Sequence, residues 1–338
     1  MNFLIGAIKV IFLLGFLILI HESGHFCVAK LCKVKAKQFA IGFGPKIFSK
    51  QGEYTKYSVR AIPLGGYVEL LGETEQVDEE GSFNKAKISS RLAIVAAGAT
   101  VNIIFGLVVY FVLMTSSGVN STTTIKNIIP EYMNSDTVLQ SGDQVLEING
   151  QRTRIKSDID NILLQSNGED MTVLVQRNGQ NIELTVKPTV IVYGDFTRYI
   201  LGVEVEQAEK NLRNNLYYGF WETEGFVYQT VSGLKQLFTG KAQIKQITGP
   251  IGISGMVAKN KGIYNYIYLL AVISLSLGIT NLLPIPALDG GKIVLLFIEA
   301  IRRKPLDQEL ELKIQSLGFS LLILLSLYVS VNDVINLF

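Results

Sequence analysis

An apolar stretch at the start of the chain, residues 2–31, most constrains what this sequence can fold into. Up to Lys30, near its end, it is broken only by Lys9 and by a polar cluster at residues 21–25. A helix of about 20 apolar residues crosses the hydrocarbon of a bilayer, and the whole chain is 48% hydrophobic and only 18% charged. The sequence therefore predicts a polytopic α-helical membrane protein with four transmembrane helices, the other three at residues 92–114, 264–288 and 314–331.

Basic residues after the first apolar stretch indicate how the chain is oriented. No acidic residue follows that stretch until Glu53, and the positive-inside rule assigns such a loop to the cytoplasm. The connection after the third stretch is also basic, so both chain ends are predicted to be cytoplasmic and residues 115–263 to lie outside. The basic residues are Lys30, Lys33, Lys35, Lys37, Lys46 and Lys50 in the first loop and Arg302, Arg303, Lys304 and Lys313 in the second.

Residues 122–188 have the pattern of a soluble, strand-rich module. Short segments in which apolar and polar residues alternate are separated by turn pairs such as Asn149–Gly150 and Asn178–Gly179. From periodicity alone this is a compact β-rich domain of no particular kind. The alternating segments are residues 145–148, 173–175 and 182–186.

Residues 211–248 carry aromatic and apolar residues at helical spacing, together with Lys235, Lys241 and Lys245. This pattern is typical of a helix that lies at a membrane surface. It fits a soluble helical linker equally well, and the sequence leaves both interpretations open.

Charge and cysteine content exclude two classes of protein. The formal net charge is only +2, which gives no global electrostatic case for nucleic acid as a partner. Cys27 and Cys32 are the only cysteines, too few for a disulfide scaffold, and both are predicted to be free thiols.

His21, Glu22 and His25 form the pattern His-Glu-x-x-His inside the first apolar stretch. Residues i and i+4 share one face of a helix, so both imidazoles can bind one Zn2+ ion. Glu22 is then placed to take a proton from a zinc-bound water, which is the chemistry of peptide hydrolysis. These are the only two histidines of the chain; the alternative is a histidine pair satisfied by neighbouring helices.

A catalytic zinc site needs a third protein ligand, and Asp289 is the candidate. It lies at the end of the third apolar stretch and is the only acidic residue between Glu224 and Glu299. An aspartate before two glycines is also common as a helix cap or turn residue, which is the alternative role.

The pairing of His-Glu-x-x-His with the later segment 281–291, Asn-Leu-Leu-Pro-Ile-Pro-Ala-Leu-Asp-Gly-Gly, resembles the site-2 protease family of intramembrane zinc metalloproteases. Three further segments are similar to the bacterial RseP-like subgroup. They are residues 42–45 (Gly-Phe-Gly-Pro), 63–68 (Pro-Leu-Gly-Gly-Tyr-Val) and 249–253 (Gly-Pro-Ile-Gly-Ile).

The resemblance implies a domain organisation and a location in a bacterial plasma membrane. Residues 1–114 would hold two transmembrane helices and a membrane-reentrant β-hairpin at 57–70, and 115–205 an extracytoplasmic PDZ-like domain that either binds peptide or acts as a size filter. An amphipathic or linker region would follow at 206–263, and the last two transmembrane helices at 264–338.

The resemblance also implies an activity: hydrolysis of peptide bonds in single-span membrane proteins, such as anti-sigma factors, or in remnant signal peptides. A substrate strand would add to the hairpin, unless the hairpin is cytoplasmic and makes no substrate contact. Asn281 is expected to contact the substrate, whereas Asn102 either does so or joins helices. The predicted substrate-binding residues are Asn281, Asn102, Gly65, Gly66, Tyr67 and Val68.

Two positions depart from the family pattern. Relatives usually carry Gly-Pro-x-x-Asn in the second span, where this chain has Gly-Ala-Thr-Val-Asn at 98–102. They often continue the aspartate motif with histidine, where this chain has Lys292. Neither departure removes a predicted ligand.

A second function from a different class is a zinc carrier or metal-regulated scaffold that uses the same ligands without hydrolysis. A transporter is expected to have several ionisable residues along its spans. Here they are concentrated at one site, which favours the protease.

Overall fold

The computed structural model describes residues 2–132, 138–193, 196–238 and 262–335. The chain divides into two compact units, the first made of Met1–Val109 and Lys235–Phe338 and the second of Tyr110–Leu234. The family-like segment at 249–253 lies outside the described residues, as does the last part of the helix predicted at 211–248.

Four helices within the described residues are long and apolar enough to cross a membrane. They are α1, α2, α5 and α7 as numbered below, and they confirm the prediction of four apolar helices. The seven α-helices in the described part of the chain are α1 (Asn2–Leu31), α2 (Ile88–Ser117), α3 (Lys156–Gln165), α4 (Leu212–Phe238), α5 (Ile263–Asn281), α6 (Asp289–Arg302) and α7 (Gln308–Ile335).

The third span is shorter than predicted. Helix α5 ends at Asn281 instead of residue 288, and a turn that contains Pro284 and Pro286 leads into α6 at Asp289. Proline has no backbone N–H and restricts the residue before it to extended conformations. The two prolines therefore end the helix although the apolar composition continues, and that continuity is why α6 was not predicted as a separate element.

Glycines bring α2 into close contact with the helices on both sides. A Cβ added to Gly24 of α1 would lie 2.7 Å from the carbonyl oxygen of Ala97, and one added to Gly106 would lie 2.9 Å from that of Ala271 on α5. Such small-residue contacts let membrane helices approach closely. They fix α2 between α1 and α5.

A folded hairpin follows α1. Strands β1 (Ala36–Gln51) and β2 (Lys56–Leu70) pair with each other, and Phe39 pairs with both Val68 and Tyr57. The first part of β1 therefore lies between the two ends of β2. The prediction of a strand pair within 57–70 alone was wrong, because that segment pairs with β1, a lysine-containing segment that was assigned to a loop.

The bend of the hairpin packs on the apolar helix α1. A Cβ added to Gly15 would lie 2.5 Å from the carbonyl oxygen of Pro63, and one added to Gly65 would lie 2.8 Å from the Ile18 side chain. Gly65 has φ +107°, a conformation that glycine adopts without strain. Gly15 and Ile18 both belong to the apolar span of α1.

The second unit contains a sheet that packs against α3. Its strands lie in the order β10-β3-β4-β6-β7, β5 pairs with β4, and β8 and β9 form a separate hairpin. Ile125, Ile148, Ile159 and Val173 are among the buried residues of its core. The strands are β3 (Ser121–Ile128), β4 (Gln144–Ile148), β5 (Gln151–Arg152), β6 (Met171–Arg177), β7 (Gln180–Val186), β8 (Thr189–Tyr193), β9 (Phe196–Ile200) and β10 (Val203–Gln207).

Helix α4 is attached to α3 by polar contacts. Ser157 donates a hydrogen bond to Glu222 at 2.7 Å, and Gln229 donates one to Asn161 at 2.5 Å. The helix is therefore packed on the β-rich domain over at least two turns.

An ion pair buried in the second unit ties β6 to the turn before β4. Asp143 is completely buried and accepts hydrogen bonds from Arg177 at 2.7 and 2.8 Å and from the N–H of Gln140 at 2.8 Å. Burial opposes ionisation of Asp143, but these bonds outweigh it and hold the pKa of the carboxyl below its usual value.

Replacing Asp143 by asparagine is expected to destabilise this unit by about 3 kcal/mol, since it leaves Arg177 without its charged partner. Because the folded-state pKa is lowered, the contribution of Asp143 is complete above about pH 4 and is lost as the pH falls through the folded-state value. Hydrogen exchange at Ile148 and Val173 in the purified full chain measures both effects. An acid-induced loss of protection that is as large in the variant as in the parent would contradict this assignment.

Candidate metal centre and active site

Helix α1 presents two imidazoles on one face, one turn apart. The Nε2 atoms of His21 and His25 are 3.1 Å apart, and the His21 residue is only 8% exposed. The i, i+4 spacing of a regular helix produces this arrangement. The described backbone of α1 needs no distortion to bring the two rings together.

Asp289, the first residue of α6, completes the cluster. Its Oδ2 atom lies 3.2 Å from Nε2 of His21 and 3.5 Å from Nε2 of His25. The same oxygen is buried and receives no hydrogen bond from the described residues. The turn at 282–288 leads directly into this residue and so places its carboxylate against α1.

These three side chains fit a zinc ion. Ligand atoms about 2.0–2.2 Å from a tetrahedral zinc ion are separated by about 3.3–3.6 Å, and the three distances between the donor atoms are close to this range, at 3.1, 3.2 and 3.5 Å. A buried carboxylate oxygen without a hydrogen-bond donor is costly unless a cation binds it. Among the described residues this is the one cluster of its kind.

The outer nitrogen of each imidazole has a partner. Nδ1 of His25 lies 2.8 Å from the carbonyl oxygen of Ile94, so Nδ1 carries the proton and Nε2 faces the cluster as a free lone pair. Nδ1 of His21 lies 3.5 Å from the amide of Asn102, which is completely buried and whose Oδ1 has no donor among the described residues. A half-turn of that amide would let Oδ1 accept the proton on Nδ1 of His21.

Gly98 on α2 forms the wall of the cluster opposite α1. A Cβ added there would clash with Nε2 of His25 and lie 2.8 Å from Nε2 of His21. Real carbon atoms do not approach that closely. The two imidazoles can therefore occupy their present positions only because residue 98 is a glycine.

Glu22 connects the cluster to the hairpin. Its Oε2 atom accepts a hydrogen bond of 3.0 Å from the backbone N–H of Val68. Val68 lies in the end of β2 that has β1 as its neighbour on one edge only. Its N–H points out of the other edge, towards Glu22 on α1. The bond fixes both the carboxylate and the strand.

A cavity of about 300 Å³ opens beside the cluster. Glu22, Tyr67, Val68 and Asn281 line it together with the three clustered side chains, whereas Asn102 is buried behind His21. Gly65 and Gly66 are buried at the bend and in the strand: a Cβ on Gly66 would clash with the carbonyl oxygen of Ala40. Of the six predicted substrate-binding residues, three therefore line the cavity: Tyr67, Val68 and Asn281.

Lys292 also lines this cavity, which sequence analysis did not assign to the site. Its Nζ forms an ion pair with Glu73 at 2.6 Å. Glu73 follows β2 and Lys292 follows Asp289 by one helical turn, so the pair joins the hairpin to α6. The departure from the family pattern at Lys292 was the signal that could have identified it.

An apolar helical bundle whose interior holds a His-His-carboxylate cluster beside a glutamate is the architecture of a membrane metalloprotease. Residues 9–325 match the model of peptidase family M50. A protein of Clostridium acetobutylicum named as a zinc metalloprotease is 34% identical over 95% of each chain. The zinc metalloprotease RasP of Geobacillus kaustophilus is 30% identical, and the regulator of sigma-W protease RasP of Bacillus subtilis 28%, each over 98% of both chains.

The chain therefore belongs to peptidase family M50, the site-2 protease family. It is a zinc-dependent protease with apolar helices suited to a membrane. This confirms the resemblance, the enzyme class and the cofactor that the sequence motifs indicated.

Proposed function

We propose that this protease hydrolyses peptide bonds within or next to the transmembrane segments of single-span membrane proteins. The observation that carries the proposal is the position of the donor cluster: His21 and His25 belong to the apolar span Ile8–Leu31, and an extended strand lies directly beside them. The substrates would be anti-sigma factors or remnant signal peptides. The Bacillus subtilis relative, named as a regulator of sigma-W protease, supports the first class.

In this proposal His21, His25 and Asp289 hold the zinc ion. When bound, zinc supplies a Lewis acid and lowers the pKa of water to about 7. Ile94 keeps the proton of His25 on Nδ1, away from the cluster. The carboxylate of Asp289 is negatively charged, so it offsets part of the charge of a divalent cation, which two neutral imidazoles cannot do.

Glu22 is the general base and acid. Its carboxylate takes the proton of the attacking water and delivers it to the amide nitrogen of the leaving chain. The hydrogen bond from the Val68 N–H orients the carboxylate through Oε2. Both proton transfers therefore occur at the Glu22 carboxylate, whose position is controlled by its hydrogen bond to β2.

The end of β2 is proposed to hold the substrate. A helical substrate must be extended before its carbonyl can be attacked, and its freed backbone groups need partners in the membrane. Residues 66–70 form a strand with one strand neighbour in the described hairpin, so a substrate segment can add to the other edge. Tyr67 and Val68 line the cavity at this edge, while Gly65 and Gly66 shape the strand.

The two asparagines are proposed to have different roles. Asn281 ends α5 and lines the cavity, which supports contact with the substrate backbone. Asn102 is completely buried beside His21, which supports orientation of that imidazole instead. A bound peptide would have no access to Asn102 without movement of α1.

We propose that the hairpin is membrane-reentrant and that residues 115–205 form an extracytoplasmic PDZ-like domain. The contact between Gly15 and Pro63 supports the first proposal, because Gly15 lies inside the apolar span of α1. Exposed apolar side chains at Phe43, Ile47 and Phe48 suit contact with lipid. The lysines after α1 support a cytoplasmic position for the metal centre.

Accumulation of uncut membrane fragments tests this function. Cells whose only copy of the protease carries Glu22→Gln are expected to accumulate single-span fragments that cells with the parent enzyme remove. Quantitative mass spectrometry of isolated membranes measures them, and the accumulated fragments identify the substrates. A zinc carrier keeps all three ligands in this variant, so an unchanged fragment profile would favour that alternative over the protease.

A further inference from the structure

The turn that delivers Asp289 contains a residue in an unusual backbone conformation. Ala287 has φ +74°, a region that L-residues with a Cβ rarely adopt because of steric repulsion. Two residues later the chain reaches Asp289. Conformations of this kind persist only where the surrounding structure enforces them, and they are common at functional sites.

Helix α7 supplies a side chain that hydrogen-bonds to this residue. Oε1 of Gln315 accepts a hydrogen bond of 2.5 Å from the backbone N–H of Ala287. The neighbouring N–H groups of the turn are bonded within it, from Ile285 to Leu283 and from Leu288 to Ile285. Gln315 is therefore the described partner of the N–H of Ala287, the strained residue itself.

Gly318, on the next turn of α7, lets the loop approach the helix. A Cβ added there would clash with the carbonyl oxygen and the ring of Pro286. Residues three apart lie on one face of a helix, so Gln315 and Gly318 form one surface. We call this surface the α7 cradle, made of Gln315 and Gly318.

On its other side the same turn presses against α6. A Cβ on Gly290 would clash with the carbonyl oxygens of Leu282 and Leu283, and one on Gly291 would clash with that of Ile285. The turn is thus confined between the start of α6 and the α7 cradle. A shift of either wall changes where Asp289 begins α6.

We propose that the α7 cradle positions Asp289 for the metal centre by holding Ala287 in its left-handed conformation. This inference rests on the proposed role of Asp289 as a zinc ligand. Gln315 touches no ligand atom and is a positioning residue, one that acts through the backbone of 286–289. Helix α7, which contributes no ligand atom to the cluster of His21, His25 and Asp289, thereby acquires a role in positioning one of the proposed ligands.

The test is a zinc titration of the purified full chain against a competing chelator, with the melting temperature measured in parallel. Gln315→Ala is expected to lower zinc affinity by about 10–100-fold, the effect typical of losing an outer partner of a metal site. Gln315→Glu keeps an acceptor oxygen for the Ala287 N–H and is expected to retain affinity within about threefold. Ser316→Ala, an exposed change on the same helix, is the matched control.

The decisive variant combines Gln315→Ala with Ala287→Gly. Glycine adopts positive φ without strain, so this second change is expected to restore zinc affinity if the cradle acts through Ala287. A merely structural role for Gln315 predicts a lower melting temperature that glycine does not correct. Parent-like affinity of Gln315→Ala, or failure of the glycine change to restore affinity, would overturn the proposal.

Asp289→Ala in the same titration separates this inference from the proposed function. If Asp289→Ala loses zinc and Gln315→Ala does not, the ligand assignment stands and the cradle proposal is wrong. If Asp289→Ala binds zinc like the parent, Asp289 is not a ligand and both fail.

Discussion

Replacing Gly98 by alanine is expected to lower zinc affinity by at least about 100-fold and to abolish proteolysis. A methyl group at this position would clash with Nε2 of His25 and lie 2.8 Å from Nε2 of His21, so both imidazoles would have to leave their present positions. This displaces two proposed ligands at once, whereas loss of an outer partner costs about 10–100-fold.

The expected effect of Gly98→Ala runs against helix propensity, which makes it diagnostic. Alanine stabilises a helix interior by about 1 kcal/mol relative to glycine, so weaker helix formation cannot explain a loss of zinc. Gly106→Ala is the matched control, because that glycine contacts Leu275 and Ala271 on α5, away from the imidazoles. Zinc content by elemental analysis and secondary structure by circular dichroism measure the outcome. Equal zinc loss in both variants would show that a general shift of α2, rather than the clash with the imidazoles, is responsible.

Replacing Asp289 by alanine is expected to weaken zinc binding beyond the roughly 10–100-fold of an outer partner, because one of three proposed donors is removed. His21 and His25 keep their positions on α1, so the variant is expected to fold. Alanine also removes the buried oxygen that lacks a hydrogen-bond donor, so thermal stability without metal is expected to stay equal or rise.

Zinc titration together with a melting curve in the presence of chelator checks both expectations for Asp289. Asp307→Ala, at an exposed carboxylate after α6, is the control for loss of charge. Parent-like zinc affinity in Asp289→Ala would require a different third ligand.

The sequence motifs predicted which side chains lie together in the candidate metal centre, because most of its geometry is local. The spacing of His21 and His25 specifies their shared face on any regular helix. Asp289 could be paired with them only because acidic residues are absent around it and because the segment 281–291 resembles a known family. No periodicity rule connects residues that are this far apart in the chain.

The elements that sequence analysis missed depend on contacts that leave no local pattern. Strand β1 was assigned to a cytoplasmic loop because of its lysines and the positive-inside rule, yet it pairs with both ends of β2. Gln315 is an ordinary polar residue in an apolar helix, and only its bond to Ala287 shows its part in the site. Gly98 was noted only as part of a family motif, since a glycine in a membrane helix usually serves helix packing.

The end of α5 is a boundary that the sequence marked with two prolines but that its apolar composition obscured. Pro284 and Pro286 lie inside the third predicted span, but its continuous apolar composition favoured extending the helix to residue 288. The structure ends the helix at Asn281, which places that asparagine at the cavity and gives Asp289 a helix of its own. Backbone chemistry at proline, rather than hydropathy, decided the boundary.

The most direct test of an intramembrane zinc protease is a comparison of parent and Glu22→Gln enzymes reconstituted in lipid vesicles with one single-span substrate from the fragment comparison. Zinc content and cleavage are measured on the same preparations, and cleavage sites are mapped by mass spectrometry. We predict equal zinc contents, cleavage slower by at least about 100-fold in the variant, and parent cut sites inside or beside the membrane segment. Equal cleavage by the two enzymes would contradict the role of Glu22, and parent cleavage only in soluble regions of the substrate would contradict the intramembrane site.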